Sequence, residues 1–243
     1  MDRIRRLLLI VFVEHVPTAL LERGVFFYLE DQFAFTSAQR LLLMLAFGVV
    51  YTIAALASHR VVGRLTEKRA LVTLIVALLS LHGLMVICAL IGGPTALRLL
   101  VAAAVAISAC QGMKWPIVES YISAGRDPKN QARAIGGFNI TWSATVPLAL
   151  VIAGPMIDLW PPLIFALSAG LNMITLVLLR PLERQPLHLD LDHPDRLTRE
   201  QVESYRAQLH STRWLMMVSY AMIFVIAPLM PEIFKHRMGF DVT

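Results

Sequence analysis

Charge is scarce in this sequence. Of its 243 residues only 16% are Asp, Glu, Lys or Arg, 57% are hydrophobic, and the mean hydropathy is +0.64. That balance excludes an ordinary soluble domain. Cysteine is nearly missing: Cys88 and Cys110 both fall inside apolar runs without the spacing of a metal motif, which argues against a disulfide framework. Hydrophilic stretches of any length are confined to residues 180–213. No metal triad, nucleophile–base pair or phosphate-cradling glycine loop stands near a membrane surface, so the sequence points away from an enzyme and implies no metal and no cofactor.

What is present is apolar length. A bilayer core about 30 Å thick needs about 20 residues of helix at about 1.5 Å per residue. Seven stretches qualify, near 7–29, 41–57, 70–92, 98–122, 134–157, 161–179 and 214–232. The expected fold is all-α, a polytopic membrane helical bundle. The start, "MDRIRRLLLIVFVEH", imitates a signal peptide, but Glu14 interrupts the apolar run, and an uncleaved first span is expected. With the N-terminus cytoplasmic and connections assigned alternately, sixteen Lys and Arg fall on the inner side. Four fall outside, Arg40, Arg98, Lys235 and Arg237, while Arg23 and Lys114 stay within spans. Positive charge collects on the cytoplasmic side, which sets the N-terminus there and leaves no basic patch for nucleic acid.

Residues 1–180 are expected to form a six-helix unit and 181–212 a cytoplasmic linker. In the linker, Thr198 with Gln201 fits a capping box and Val202, Tyr205 and Leu209 recur at helical spacing, so a short amphipathic surface helix is expected. The alternating His and Asp of "HLDLDHPD" are solvated linker charge rather than a metal site. Residues 213–243 repeat the layout of the first span. Arg6 leads to Phe35-Thr36 much as Arg213 leads to Phe240-Asp241, with Thr36 or Asp241 placed to cap a following helix. A second unit is therefore expected to open there, with the chain a fragment of a protein near twice its size.

An ionisable residue at mid-membrane costs on the order of 3 kcal/mol or more, so it faces protein or a wet cavity. In the first span, Glu14, Thr18, Glu22 and His15 fall at about 0°, 40°, 80° and 100° around the helix, one stripe, with Arg23 near 180°. Pro17 frees the carbonyl of Val13. Glu22 and Arg23 either serve a cavity or pair with neighbouring helices, and Arg23 alternatively snorkels. In the fourth span Ser108, Gln111, Gly112, Trp115 and Glu119 share a face, with Lys114 at its margin and Pro116 releasing the Gly112 carbonyl. In the fifth, Asn139 and Ser143 stand one turn apart and Pro147 frees the Ser143 carbonyl. Glu119 and Asn139 lie at comparable depth, placed either for a hydrogen bond or for gating, and Trp142 is either cavity wall or packing. The third and sixth spans carry only His82 and Asn172 and are expected at the periphery.

Six helices, a long linker, a seventh span repeating the first, and polar residues on spans one and four resemble the N-terminal half of a major facilitator superfamily transporter. The stretch "SHRVVGRLTEKRAL", 58–71, resembles the family's signature loop between helices two and three. Aligning Gly63 with its second glycine sets His59-Arg60 at the usual Asp-Arg, with Arg64 following. Aligning Gly63 with the first sets Glu67 at the acidic position. "AGPMID" shares the Gly-Pro of the helix-five antiporter motif without its flanking glycines and implies no antiport. "ERGVFFY", 22–28, resembles the helix-one E-R-F-x-Y-Y run of proton-coupled oligopeptide transporters, with Ala19 where they carry a further glutamate.

The resemblance implies alternating access, a small-molecule substrate and proton coupling through Glu22 beside Arg23, while the cost of placing ionisable groups inside spans makes Glu14, His15, Lys114 and Glu119 further candidates. Its implied partners are the lipid bilayer, the substrate, protons and a C-terminal half of the same protein. Its implied location is the plasma membrane, the inner membrane in a bacterium. The alternative is a non-transporting membrane anchor, sensor or assembly protein.

Overall fold

The computed structural model describes residues 3–126, 128–186, 200, 203, 211, 214, 215, 218, 222 and 225–239. The linker's "HLDLDHPD", the capping residues Thr198 and Gln201, the stripe Val202, Tyr205 and Leu209, and the pair Phe240-Asp241 lie outside them.

The first span is one continuous rod in three parts: α1 (Arg3–Ala19), a π-helical turn (Leu20–Gly24) and α2 (Val25–Phe33). Ala34, in the left-handed region at φ 51°, ends it. Thr36 then starts α3 (Ser37–Arg64) with a full capping box: its hydroxyl accepts from the Gln39 amide at 3.3 Å, and Gln39 Oε1 accepts from the Thr36 amide at 2.8 Å. The helix runs well past the expected end at 57, because nothing in "SHRVVGR" breaks it. The stretch expected as a loop is thus mostly helix. His59, Arg60, Gly63 and Arg64 sit exposed on the last turns of α3, and only Leu65 and Thr66 separate it from α4 (Glu67–Ile91), which begins at Glu67.

Gly92 and Gly93, both at positive φ, turn α4 directly into α5 (Gly93–Ser123) with Pro94 in its first turn. Two consecutive positive-φ residues suit glycine because it lacks a Cβ, and proline is favoured where helix amides have no partner. Next come α6 (Pro128–Leu159), with Pro147 and Pro155 inside it, and α7 (Leu163–Leu179). Four of these helices, from α3 to α6, are long and apolar enough to cross a membrane, and α7 is apolar but shorter. The molecule is a multi-pass membrane protein.

Packing runs around a ring. α3 lies on α5, α5 on α4, α4 on α7, α7 on α1, and α1 on α6. The main core joins α1 to α5 and α7, while a small cluster of Val16, Ala19, Leu20, Ala149 and Ala153 sews the first span to α6. Gly112 sets the α3–α5 distance, since a Cβ there would lie 2.3 Å from the Tyr51 carbonyl oxygen. The ring is loosest between α6 and α3, and there a cavity opens.

Candidate functional site

The cavity holds about 1200 Å³ and is walled by the first span, α3, α5, α6 and Val225. No residue of α4 or α7 reaches it. Those two helices instead turn their polar residues on each other: Asn172 Nδ2 lies 3.3 Å from His82 Nδ1, both buried, and Asn172 also donates to the Ser168 carbonyl at 2.6 Å.

From the first span, His15, Thr18, Glu22 and Arg23 line the wall. An undisturbed α-helix turns Arg23 about 140° away from Thr18. Within the π turn each residue advances by less than the α-helical angle, so Arg23, late in that turn, is rotated back toward the stripe. Glu14 goes the other way. Its Oε1 accepts from Lys114 Nζ at 2.6 Å, with both side chains at most 1% exposed, and neither residue is on the cavity wall. Lys114 Nζ also sits 4.3 Å from the centre of the Trp115 ring. Of the two placements open to Glu14, protein or a wet cavity, the structure shows the first: its carboxylate is sealed against α5 by an ion pair.

His15 is held by the neighbouring helix. Its Nδ1 donates to the Thr145 hydroxyl, which in turn donates to the Trp142 carbonyl at 2.7 Å. This leaves Nε2 as the ring's second nitrogen for other partners. The imidazole lies between Trp115 and Trp142, with ring centroids at 5.3 and 5.5 Å, and Trp115 meets Phe138 at 6.2 Å. Together these rings form an aromatic box on the α5–α6 side of the cavity.

Ser108, Gln111, Trp115 and Glu119 of α5 all face the cavity, and Glu119 is exposed there. Gly112, on the same face, is used up in the close approach to Tyr51. Ser108 donates to the Phe47 carbonyl at 2.9 Å. Asn139 does not bond Glu119. Its Oδ1 accepts from Trp142 Nε1 at 3.1 Å, because a residue three positions on lies over the same turn. Trp142 lines the cavity as well as packing on His15. Among the described residues, Arg23 Nη1 and both polar atoms of the Gln111 side chain have no hydrogen-bond partner, although both residues are buried.

Two clusters were missed by sequence reasoning. Arg40, assigned to an outer connection, is buried. It donates to the Pro228 carbonyl at 2.9 Å, the Phe35 carbonyl at 2.8 Å, Ser37 Oγ at 3.1 Å and the Glu30 carboxylate, while Ser37 donates to Glu232 at 3.0 Å. Its position one helical turn past the capping residue was the available signal. At the other end, Lys68 Nζ donates to the carbonyls of Arg180 and Leu182, both at 2.7 Å, and the Tyr121 hydroxyl donates to the Glu183 carbonyl at 2.9 Å. The wall contributed by α3, including Phe47, Tyr51 and Thr52, was missed too, and the Tyr51-Thr52 pair in mid-span would have indicated it.

The sequence profile of the Major Facilitator Superfamily matches residues 17–243. Solved structures share the fold. A peptide transporter, POT, in complex with sulfate is 18% identical with a TM-score of 0.61, covering 99% of this chain and 47% of that one. A POT family transporter with 5-aminolevulinic acid is 15% identical at 0.56, and another with a thioalcohol-conjugated peptide is 17% identical at 0.53. Each match covers 93% of this chain and 47% of its own. The chain thus spans about half the length of these structures. No curated protein matches it in sequence.

Proposed function

We propose that this chain, which belongs to the Major Facilitator Superfamily, lines one side of the solute pathway of a secondary active transporter that works by alternating access. The observation that carries this is the cavity of about 1200 Å³ between largely apolar helices, with Glu22, Arg23, Gln111 and Glu119 among its lining residues. Side chains of that kind are expensive in a membrane unless water or a solute reaches them. In this reading residues 1–180 form the first six-helix unit, 181–212 the linker, and 213–243 the first helix of a second unit. The substrate is a small organic solute, and the peptide conjugate and 5-aminolevulinic acid of the neighbouring structures are of a size such a cavity accommodates. The coupling ion is the proton, carried by Glu22.

The Glu14–Lys114 pair is the kind of dry contact that a membrane anchor or sensor would contain. The cavity beside it favours transport. In proteoliposomes of the complete protein, Glu22→Gln is expected to abolish solute uptake driven by a pH gradient while sparing solute exchange. Driven uptake at the wild-type rate removes Glu22 from the coupling step.

A further inference from the structure

On the α5 and α6 sides of the cavity the hydrogen-bonding side chains are mostly engaged with the protein itself. Ser108 donates to the Phe47 carbonyl at 2.9 Å, the Thr145 hydroxyl takes His15 Nδ1, and Trp142 Nε1 donates to Asn139 Oδ1 at 3.1 Å. Gln111 of α5 is the exception. It lines the cavity, it is 2% exposed, and neither Nε2 nor Oε1 has a hydrogen-bond partner among the described residues. Glu119 stands roughly two turns further along α5, about 12 Å by helical rise, too far to serve the amide.

Burying both ends of a primary amide unmet is costly, and native structures leave few polar groups in that state. Because this side chain makes no hydrogen bond, turning its amide toward the cavity breaks none. An amide offers a donor and an acceptor side by side. A purely apolar ligand leaves both unmet and a simple ion meets only one. A group with its own acceptor and donor on neighbouring atoms closes both at once, as glutamine does on the edge of adenine.

The rings beside Gln111 suit a flat body. Trp115 follows it by one helical turn on the same face and is held by His15 and Phe138, with ring centroids at 5.3 and 6.2 Å, and by Lys114 Nζ at 4.3 Å. Trp142, half-buried on the cavity wall, has its indole fixed by Asn139 and by His15 at 5.5 Å. Indoles already held in place can stack a planar ring with little further ordering. Met44, Phe47 and Val146 add apolar surface to the same space.

We propose that Gln111 reads the lactam edge, a ring N–H beside a ring C=O, of an uncharged planar heterocycle whose flat face lies against Trp115 and Trp142. Gln111 Nε2 donates to the ring carbonyl and Oε1 accepts from the ring N–H. The ligand adds no charge to a low-dielectric space, so it calls for no counter-ion. This names a solute class for the cavity. It rests on the transport reading for movement of that solute across the membrane, and not for its binding.

The test uses the full chain in detergent and two isomeric probes, 4-methyl-2-quinolinone and 1-methyl-2-quinolinone. They share one flat apolar body, but the methyl on nitrogen removes the lactam donor. By calorimetry the 4-methyl isomer is expected to bind about tenfold tighter, the usual consequence of leaving a buried acceptor unmet. Gln111→Leu is expected to make the two isomers bind alike. Trp142→Leu is expected to weaken both and keep the preference. Equal binding of the isomers by the unaltered chain overturns the site, and this needs no variant to fold. A preference that persists in Gln111→Leu overturns the role of Gln111. Binding is read without a gradient, so it is separate from the uptake assay on Glu22→Gln. A lactam preference together with wild-type driven uptake in that variant upholds the site and overturns the coupling. Equal binding together with loss of driven uptake overturns the site and leaves transport standing.

Discussion

At the scale of single residues, the ionisable groups of this membrane protein divide by what surrounds them. Glu14 and Lys114 are both essentially inaccessible and 2.6 Å apart, so each is tolerated only because of the other. Removing one partner of a buried pair leaves an uncompensated charge and costs about 3–5 kcal/mol, whereas replacing both is often nearly neutral. Lys114→Met is therefore expected to lower the thermal midpoint in detergent sharply, and the double variant Glu14→Gln/Lys114→Met to recover most of the loss. Equal destabilisation by the single and double changes would mean that the pair does not interact. Glu22 and Arg23, by contrast, line the cavity. The sequence marked all four as unusual but could not sort them, because a carboxylate's worth depends on the atom opposite it, and that atom is a hundred residues away in the Glu14 case.

Among elements, the π turn of Leu20–Gly24 and the contact of α5 with α3 do the most to shape the wall. The wheel drawn from ideal helix geometry placed His15, Thr18 and Glu22 together and left Arg23 aside, and a single inserted residue changed that. Local sequence carries little sign of such an insertion. The α3–α5 contact depends on Gly112. Gly112→Ala drives a Cβ against the Tyr51 backbone and is expected to cost about 1–3 kcal/mol by overpacking. Gly83→Ala, in α4 with open space at the same test position, is expected to be neutral or stabilising by up to about 1 kcal/mol through helix propensity. Thermal denaturation of the two variants side by side checks the contrast.

Over the whole molecule, polar clusters tie parts of the chain that are distant in sequence. Arg40 and Ser37 hold residues 228 and 232 against the turn between α2 and α3, and Lys68 with Tyr121 holds the segment after α7 against α4 and α5. Cysteines introduced in place of Ser37 and Glu232 are expected to be bridged by a short bis-methanethiosulfonate reagent, since the present side chains meet at 3.0 Å while a direct disulfide needs the two Cβ atoms closer than a serine–glutamate contact sets them. A protease site added between residues 187 and 199 provides the readout: the crosslinked chain stays as one band until reduced, and separation into two bands without reductant would refute the contact.

Sequence alone was enough for the succession of apolar helices up to residue 179, the capping residue Thr36 at the start of α3, and the separation of the helices carrying His82 and Asn172 from the cavity wall. Those come from hydrophobic length, capping chemistry and the cost of charge in lipid, all of which act locally along the chain. Which carboxylate is sealed and which is open, where Arg23 points, and that Arg40 is buried were decided only by tertiary structure. Each depends on which helix face lies opposite, and the approach of α5, α6 and the segment near Pro228 settles that through packing between residues far apart in the chain.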